Sequence, residues 1–388
     1  MAEDFQEISH SGGKVTFTVV TDKGGHRTYQ VGFSFSRPVP VVVIGVYATE
    51  DGVPFASMPF TGIGGPSESP PPGGLPVIVS SDSQGKFGHN CPRCKQYWRS
   101  GPGPSCCPYC ALSAPSYAFL SAAQLRYVRR YCEVLCNALE ADEDSEVVID
   151  MDVVAGAAGK EGEKPAFYVS EQSQQRKFTC TACDEFNDIL GRFGYCSRCG
   201  TRNDLQDFEL DAIPAIRARL NTGHTPEDCV RDAVAAFDSF TGQLAEQLAK
   251  RVRMTARRKK RLEKQRFHDL AEVREIFAQW FDVDVCAGMK ELEYAAAARM
   301  FQRRHVYEHS GGEVDQEYLD QSGDTSVVLK QRIHETREGA HDFLGSLVKM
   351  ARNMHHGFHE LFPPLEGPIK ALDEKKARMA EHTARSKR

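Results

Sequence analysis

The sequence predicts a multidomain α+β protein. Its N-terminal region is β-rich and carries two small cysteine-rich ribbons, and its C-terminal end is an all-α four-helix bundle. Three observations support this fold class. The chain has 388 residues, which is more than one ordinary core can bury. Eight of its 13 cysteines form two copies of one spacing, and strand-like segments give way after residue 225 to apolar residues spaced for helices.

The composition is that of a folded protein outside the membrane. Apolar residues make up 41% of the chain and charged residues 26%. The longest apolar run, at 41–48, is far shorter than the roughly 20 residues of a membrane span. The N-terminus is acidic and polar, so we expect no targeting signal and a cytoplasmic protein. Residues 1–224 carry 20 Lys and Arg against 26 Asp and Glu, so nucleic-acid binding over the whole surface is not expected.

The two cysteine-rich segments share the spacing C-x2-C-x12-C-x2-C, which is typical of four-cysteine zinc sites. In each segment a short knuckle turns two thiolates toward one ion, and the spacer brings the second knuckle across. The odd number of cysteines argues against a disulfide framework and favours a reducing compartment. We therefore expect two structural zinc ions, no cofactor for catalysis, and Cys106 outside both sites. The predicted ligands are Cys91, Cys94, Cys107 and Cys110 in the first ribbon and Cys180, Cys183, Cys196 and Cys199 in the second.

Short β-branched runs between residues 14 and 56, which are bounded by Gly, Pro and Asp, predict the strands of a small sheet in the N-terminal half. A Pro/Gly/Ser segment at 62–76 is predicted to be a linker. The ribbon loops are only mildly basic, so both nucleic acid and protein remain candidate ligands of this region. The expected order is a β-rich domain with the Pro/Gly linker (1–86), the first zinc ribbon (87–115), a helix plus strand connector (116–165), the second zinc ribbon (166–205) and a linker (206–224).

A C-terminal helical domain is predicted at 225–365, followed by a charged tail at 366–388 that is expected to be a frayed helix or disordered. Thr225 and Pro226 are typical of a helix start. Apolar residues then recur at three- and four-residue steps in four helices, the last of them at 326–362. Short connections without a strand signal predict an up-and-down four-helix bundle.

Two further features of this domain do not define a site by themselves. The run 251–266 holds nine Lys or Arg and one Glu. It is either a solvated helix extension or a phosphate-contacting surface. His355, His356 and His359 lie close together, but the sequence offers no fourth metal ligand beside them. They are predicted to be surface or helix-end residues.

The third predicted helix ends in the sequence RRHVYEHSGGEVDQEYL at 303–319. Arg304 is followed directly by His305 and, four intervening residues later, by His309. A second match to this spacing, Arg219 and His224, lies in a predicted loop and is expected by chance. Residues 226–362 resemble the HEPN superfamily of four-helix domains (higher eukaryotes and prokaryotes nucleotide-binding). That family carries such a motif late in its bundle, so the resemblance identifies Arg304, His305 and His309 as candidate catalytic residues.

The resemblance also implies a function. Many HEPN proteins with this motif are metal-independent endoribonucleases that act as dimers in toxin–antitoxin or antiphage (abortive-infection) systems. Others only bind nucleotides or partners. The implied partners are RNA, a second copy of the chain through the helical domain, and a regulatory protein or phage-derived trigger, with no membrane. The N-terminal region would then serve for sensing or for RNA or protein binding.

The chemistry of the three residues agrees with this implication. Cleavage of RNA without a metal needs a base for the 2′-hydroxyl, an acid for the leaving 5′-oxygen, and positive charge on the phosphate. A histidine can serve as base or acid near neutral pH, and an arginine binds phosphate bidentately. On an ideal helix Arg304 is rotated from His305 and His309 by roughly 100–140°, which favours a cleft completed by a second chain.

Three alternatives stay open at this stage. The helical domain can bind nucleotides or RNA without cleaving them. Arg304 and His309 can form a capping network with a purely structural role. The whole chain can also be a non-catalytic adaptor in which the ribbons and the bundle both bind partners.

Overall fold

The computed structural model describes residues 8, 13–34, 42–59, 70–82, 84–141, 143–151, 153 and 174–386. These residues belong to two compact units. The β-rich unit is Met1–Thr201 together with Leu365–Arg388, and the helical unit is Arg202–Pro364. Most of the predicted Pro/Gly linker, at 62–69, lies outside the described residues. So do 154–173, which include the start of the predicted second ribbon.

Within the described residues, the β-rich unit contains three small antiparallel sheets, with strand orders β2-β1-β8, β4-β3-β5 and β6-β7-β10-β9. The sequence alternation explains the first of them, because Val15, Phe17 and Val19 of β1 are buried between exposed or half-buried neighbours. The strands are β1 Lys14–Thr21, β2 Arg27–Ser34, β3 Val43–Ala48, β4 Pro54–Met58, β5 Leu75–Ser80, β6 Phe87–Asn90, β7 Tyr97–Ser100, β8 Ser145–Asp150, β9 Gln175–Thr179 and β10 Phe186–Leu190.

Helix α1, Ala122–Glu140, supplies the common core of the first two sheets. It begins with a capping box in which Ser121 and Gln124 satisfy each other's backbone N–H groups. Tyr131 of this helix contacts Phe17 of β1 edge to face, with ring centroids 4.7 Å apart. Val79 of β5 belongs to the same buried cluster. The described part of the predicted connector at 116–165 therefore belongs to the N-terminal core, because both α1 and β8 are built into it.

The predicted helical C-terminal region is confirmed, but its helices begin at Asp204, before the predicted boundary at 225, and they follow one another with short connections. Helix α4 packs against α7 and α9, and α6 packs against α7. The aromatic rings of Phe237, Phe301 and Phe343 meet edge to face in the centre. The helices are α2 Asp204–Asp207, α3 Ile213–Asn221, α4 Pro226–Arg251, α5 Ala256–Lys264, α6 Leu270–Phe281, α7 Glu291–His309, α8 Gln316–Ser322 and α9 Arg337–Leu361.

The structure differs from the sequence prediction in three places. The predicted linker at 206–224 is mostly helical, because a π-helical turn at Phe208–Ala212 joins α2 to α3, whose apolar residues are buried. Helix α9 begins at Arg337 instead of 326, since Thr336 caps it and the preceding segment pairs with Val314 through backbone hydrogen bonds. Helices α5 and α8 lie between the four expected helices, so the unit is more elaborate than a plain up-and-down bundle.

The charged tail forms helix α10, Glu366–Ser386, in the β-rich unit. The N–H of Leu365 donates to the carbonyl of Cys199 at 2.8 Å, and Ile369 packs against the second cysteine set. These contacts attach the start of the tail to a folded module, whereas the sequence alone predicted a frayed or disordered end. Within the described part of the chain, no helix is both long and apolar enough to cross a membrane.

Candidate functional site

The eight predicted cysteine ligands converge in the two sets that their spacing predicts. In each set the four sulfurs lie within 4.8 Å of one another. The closest pairs in the first set, Cys91–Cys110 and Cys94–Cys107, are separated by 3.6 and 3.7 Å. A tetrahedral four-thiolate site with metal–sulfur bonds of about 2.3 Å places its sulfurs roughly 3.8 Å apart. Both sets therefore fit one metal ion each, and Cys106 belongs to neither.

All four knuckles have the same backbone geometry. The residue after the second cysteine of each knuckle donates its N–H to the carbonyl of the first cysteine, at 2.9 to 3.0 Å. This closing residue has a left-handed backbone conformation, which residues other than glycine adopt only at a cost in free energy. One of the four closing residues is a glycine. The closing residues are Lys95 (φ 61°), Ala111 (φ 53°), Asp184 (φ 62°) and Gly200 (φ 81°).

The two cysteine sets belong to one continuous sheet, whereas the sequence predicted two separate ribbons. Strand β7 of the first module pairs with β10 of the second, with Asp188 opposite Arg99. The Arg99 guanidinium, which is 3% exposed, binds both Asp188 and Asp82 across this junction. The Tyr109 hydroxyl donates to the carbonyl of Tyr97 and accepts from the N–H of Leu190. The two modules are therefore coupled mechanically, through backbone pairing and buried charges.

The candidate catalytic residues lie on the last turns of α7, where they line a cavity of about 390 Å³. His305 and His309 are both exposed, and their rings are 4.5 Å apart between centroids. The side chain of Arg304 is only 16% exposed and reaches the same cavity from the buried side of the helix. The three residues thus meet at one cavity despite the angle that separates them on the helix.

The cavity also contains a histidine that sequence reasoning missed. Nη1 of Arg304 lies 3.2 Å from Nδ1 of His268, and Nε2 of His268 lies 3.1 Å from Oδ2 of Asp238. Since an arginine can only donate, Nδ1 of His268 accepts and its Nε2–H donates to Asp238. His268 precedes α6 and Asp238 lies in α4, so no local spacing connects either residue with the motif on α7. The only feature of the sequence that draws attention to the region of His268 is the basic run that ends at Arg266.

Arg304 is loosely held apart from this contact. Its Nη2 is 3.9 Å from a carboxylate oxygen of Glu308, which also faces Arg231 at 3.5 Å. Its Nε is buried and has no hydrogen-bond partner within the described residues. An arginine with donors left over beside an open cavity is suited to bind an anionic ligand.

The neighbouring Arg303 has a different environment. It binds Asp324 at 2.7 Å and Glu335 at 3.0 Å, and its side chain is 11% exposed. Burial opposes the charge of Arg303, but its bonds to Asp324, Tyr318 and Glu335 raise its pKa. Burial likewise opposes the ionised form of Asp324, while bonds from Ser326, Tyr318 and Arg303 keep its pKa well below the usual value. Arg303 therefore holds α7 to the segment before α9 and is not available at the cavity.

The chance match at Arg219 and His224 lies elsewhere in the helical unit. Arg219 is paired with Asp232, and the backbone N–H of His224 donates to the carbonyl of Arg219 at 3.2 Å. Neither residue lines the cavity. Arg219 lies in the last turn of α3, so its predicted position in a loop is wrong, but these contacts are consistent with the interpretation that the match is fortuitous.

His355 and His359 form a neutral pair in the helical unit, with ring centroids 4.5 Å apart. The N–H of Arg202 donates to Nε2 of His359, whose Nδ1–H donates to the carbonyl of Phe362. His355 donates through Nε2 to the carbonyl of Arg202. Burial lowers the pKa of His359 to about 3, with His355 acting in the same direction, and burial also lowers the pKa of His355. Among the described residues, the converging metal-ligand groups are the two cysteine sets.

This pair predicts that acid destabilises the helical unit. Both pKa values lie below the unfolded value of about 6.5, so the unfolded chain binds more protons than the folded one between pH 6.5 and 3. The contribution of the neutral pair to the unfolding free energy is fully present above pH 6.5, and it is lost as the pH is lowered. We expect chemical denaturation to give an unfolding free energy on the order of 2 kcal/mol lower at pH 5 than at pH 7.5.

The control for this prediction lies on the same helix. His359→Gln should reduce the difference between the two pH values, because it removes the buried titrating ring. His356→Gln should leave it unchanged, because the His356 side chain is 78% exposed. An equal pH dependence in the wild type and His359→Gln would contradict the assignment.

Neither a protein-family model, nor a curated protein, nor a solved structure matches this chain. The protein is therefore classified by its own fold and by its candidate sites. It has a β-rich unit with two coupled four-cysteine sets and a helical unit with a cavity lined by arginine and histidine side chains.

Proposed function

We propose that the protein is a metal-independent endoribonuclease of HEPN type, whose active site is the cavity at the end of α7. The observation that carries this proposal is that Arg304, His305, His309 and His268 line one cavity, with Asp238 paired to His268. An anion-binding group beside imidazoles that can exchange protons is what phosphodiester cleavage without a metal requires.

The reaction assigns a role to each side chain. The 2′-oxygen of a ribose attacks the adjacent phosphorus and the bond to the 5′-oxygen breaks, which leaves a 2′,3′-cyclic phosphate and a 5′-hydroxyl. A base takes the proton of the 2′-hydroxyl and an acid returns a proton to the 5′-oxygen. His309 serves as acid or base, Arg304 neutralises the phosphate, and His305 positions the substrate. His268 and Asp238 are positioning residues that aim the guanidinium of Arg304.

We assign the two cysteine sets to structural zinc ions. Four thiolates saturate a tetrahedral ion and leave no position for water or substrate, so the metals stabilise the fold and take no part in the reaction. The coupled ribbons would bind RNA or a protein, such as a phage-derived trigger or an antitoxin. The whole protein would then act in the cytoplasm as a toxin or abortive-infection effector.

We also propose that the helical unit dimerises so that the two 304–309 segments face each other. A single His309 cannot be both base and acid at the same moment, so a second motif from the partner would complete the site.

The competing function is a non-catalytic adaptor. The observation that favours it is that Arg304 already has protein contacts to His268 and Glu308, as a purely structural arginine would.

The test is incubation of the purified full-length protein with labelled RNA in EDTA, under conditions that leave the cysteine sites loaded. We expect RNA to be cut to products with 2′,3′-cyclic phosphate ends, and DNA of the same sequence to survive because it lacks the nucleophile. An Arg304→Ala/His309→Ala double variant is the control, and sedimentation of both proteins reports the dimer. Cleavage that survives in the double variant would eliminate the proposed site, and an active monomer would eliminate a shared one.

A further inference from the structure

A second cavity of the helical unit lies beside the basic helix α5. Its volume is about 490 Å³, which is within the range of small-molecule sites. Val252, Met254, Trp280 and Phe281 form its apolar lining, and the cations at its edge include Arg258. An aromatic floor with arginines at the edge is the arrangement that single-stranded nucleic acids use for stacking and phosphate contact.

The ring of Trp280 is accessible for stacking. The guanidinium carbons of Arg258 and Arg261 both lie 5.5 Å from its centroid, whereas Arg251 is stacked on Phe362 at 3.8 Å in the same unit. Trp280 is half-buried, so part of the indole faces the cavity. Both guanidinium groups lie over the ring at a longer distance than in the Arg251–Phe362 stack, so a planar ligand that enters the cavity can share the indole with them.

The charge around this cavity is mostly uncompensated. In the segment 251–266, ion pairs join Lys259 to Glu263 at 3.9 Å and Arg261 to Glu272 at 3.7 Å. Six further cations of this segment have no acidic partner in the described part of the chain. They are Arg253, Arg257, Arg258, Lys260, Lys264 and Arg266. A helix with this excess of positive charge attracts a polyanion.

Side-chain contacts link the second cavity to the proposed active site. Arg266 and Glu272 line the 390 Å³ cavity that contains Arg304 and His309. Glu272 pairs with Arg261, which borders Trp280. A chain of contacts across α5 and α6 thus connects the two cavities.

We infer that α5 and Trp280 form a binding site for single-stranded RNA, in which an unpaired base stacks on Trp280 and the adjacent phosphates contact Arg258 and Arg261. A duplex is excluded from this site because its bases stay inside the stack. An acidic peptide would use the charge but has no need of the exposed indole face. The binding site stands on its own contacts, while the delivery of the bound strand to Arg304 rests on the proposed function.

Tryptophan fluorescence provides the direct test. The chain has two tryptophans, and Trp98 is fully buried, so quenching by a ligand reports on Trp280. The experiment uses the full-length Arg304→Ala/His309→Ala protein, which keeps RNA intact, and titrates it with an oligouridylate. We expect saturable quenching, and at least a fivefold weaker affinity after an additional Trp280→Ala substitution, measured by anisotropy of a labelled oligonucleotide. Trp280→Phe should keep most of the affinity, which separates loss of stacking from loss of fold.

A matched pair of charge variants tests the arginines. Arg258→Ala/Arg261→Ala and Arg257→Ala/Lys260→Ala each remove two cations from α5, so general attraction falls equally in both. We expect the first pair to weaken binding several-fold more than the second. Equal losses together with no effect of Trp280→Ala would overturn the site, as would equal competition by polyglutamate or by duplex RNA. Because these titrations need no cleavage, a protein that binds through Trp280 but cuts nothing refutes only the proposed function.

Discussion

Replacing Cys196 by serine is expected to unfold both metal modules, with loss of bound zinc from the second set. Structural zinc contributes roughly 10–16 kcal/mol of apparent binding free energy in small modules, which is as large as the about 5–15 kcal/mol stability of a whole domain. Cys196 is fully buried, and its sulfur accepts hydrogen bonds from the N–H of Arg198 and the amide of Asn187. Since β10 carries Asn187 and pairs with β7, the damage should spread to the first set.

Elemental analysis and thermal denaturation measure this effect. The wild type should hold two zinc ions per chain, and Cys196→Ser one or none, with a lower melting temperature for the β-rich unit. Cys106→Ser is the matched control, because Cys106 is buried beside the ligand Cys107 but belongs to neither set. It should retain both ions. A wild-type protein with fewer than two ions would contradict the assignment, and so would a Cys196→Ser protein that keeps two.

His309→Ala is expected to reduce the rate of RNA cleavage by about 10²–10⁴-fold, the usual contribution of a general acid or base. Arg304→Lys should also cause a severe loss, because lysine keeps the charge but lacks the planar fork that binds phosphate bidentately. His305→Ala should be milder, since this residue positions the substrate. Single-turnover kinetics on a labelled RNA distinguish these effects from changes in product release.

The positioning pair has a distinct expected signature. His268→Ala and Asp238→Asn should lower the rate less than Arg304→Lys does, because the Arg304 guanidinium keeps its charge and its planar fork and loses only its oriented neighbour. Arg303→Ala should instead lower the melting temperature, as it removes the cation between Asp324 and Glu335. Variants of Arg219 and His224 should match the wild type. Full activity in both Arg304→Ala and His309→Ala would exclude the proposed mechanism.

The sequence by itself determined the features that depend on local spacing. The two cysteine sets follow from C-x2-C knuckles, because a tight turn brings its two thiolates together wherever the segment lies in the fold. The change from strands to helices also follows from periodicity, because burial of one face selects a repeat of 2 or about 3.6 residues. The start of α4 at Pro226, after the Thr225 cap, is a local feature of the same kind.

Local signals failed where distant packing decides the conformation. Ile213, Ile216 and Leu220 recur at three- and four-residue steps inside the predicted linker, but a helix of nine residues is marginal by itself, and burial of these side chains stabilises it. The start of α9 at Arg337 depends on the backbone pairing of the preceding segment with Val314. Helix α10 is attached at its start by packing against the second cysteine set, which no property of a charged tail reveals.

Only the tertiary structure decided which chemical groups meet. His268 touches Arg304 across 36 positions of sequence, and Asp238 reaches His268 from another helix. The pairing of β7 with β10 couples two cysteine sets that the sequence presents as separate repeats. The same holds for the contacts of Trp280 with Arg258 and Arg261. The physical reason is that helix packing and strand pairing bring together residues from different elements, whereas spacing and periodicity report only on residues within one element.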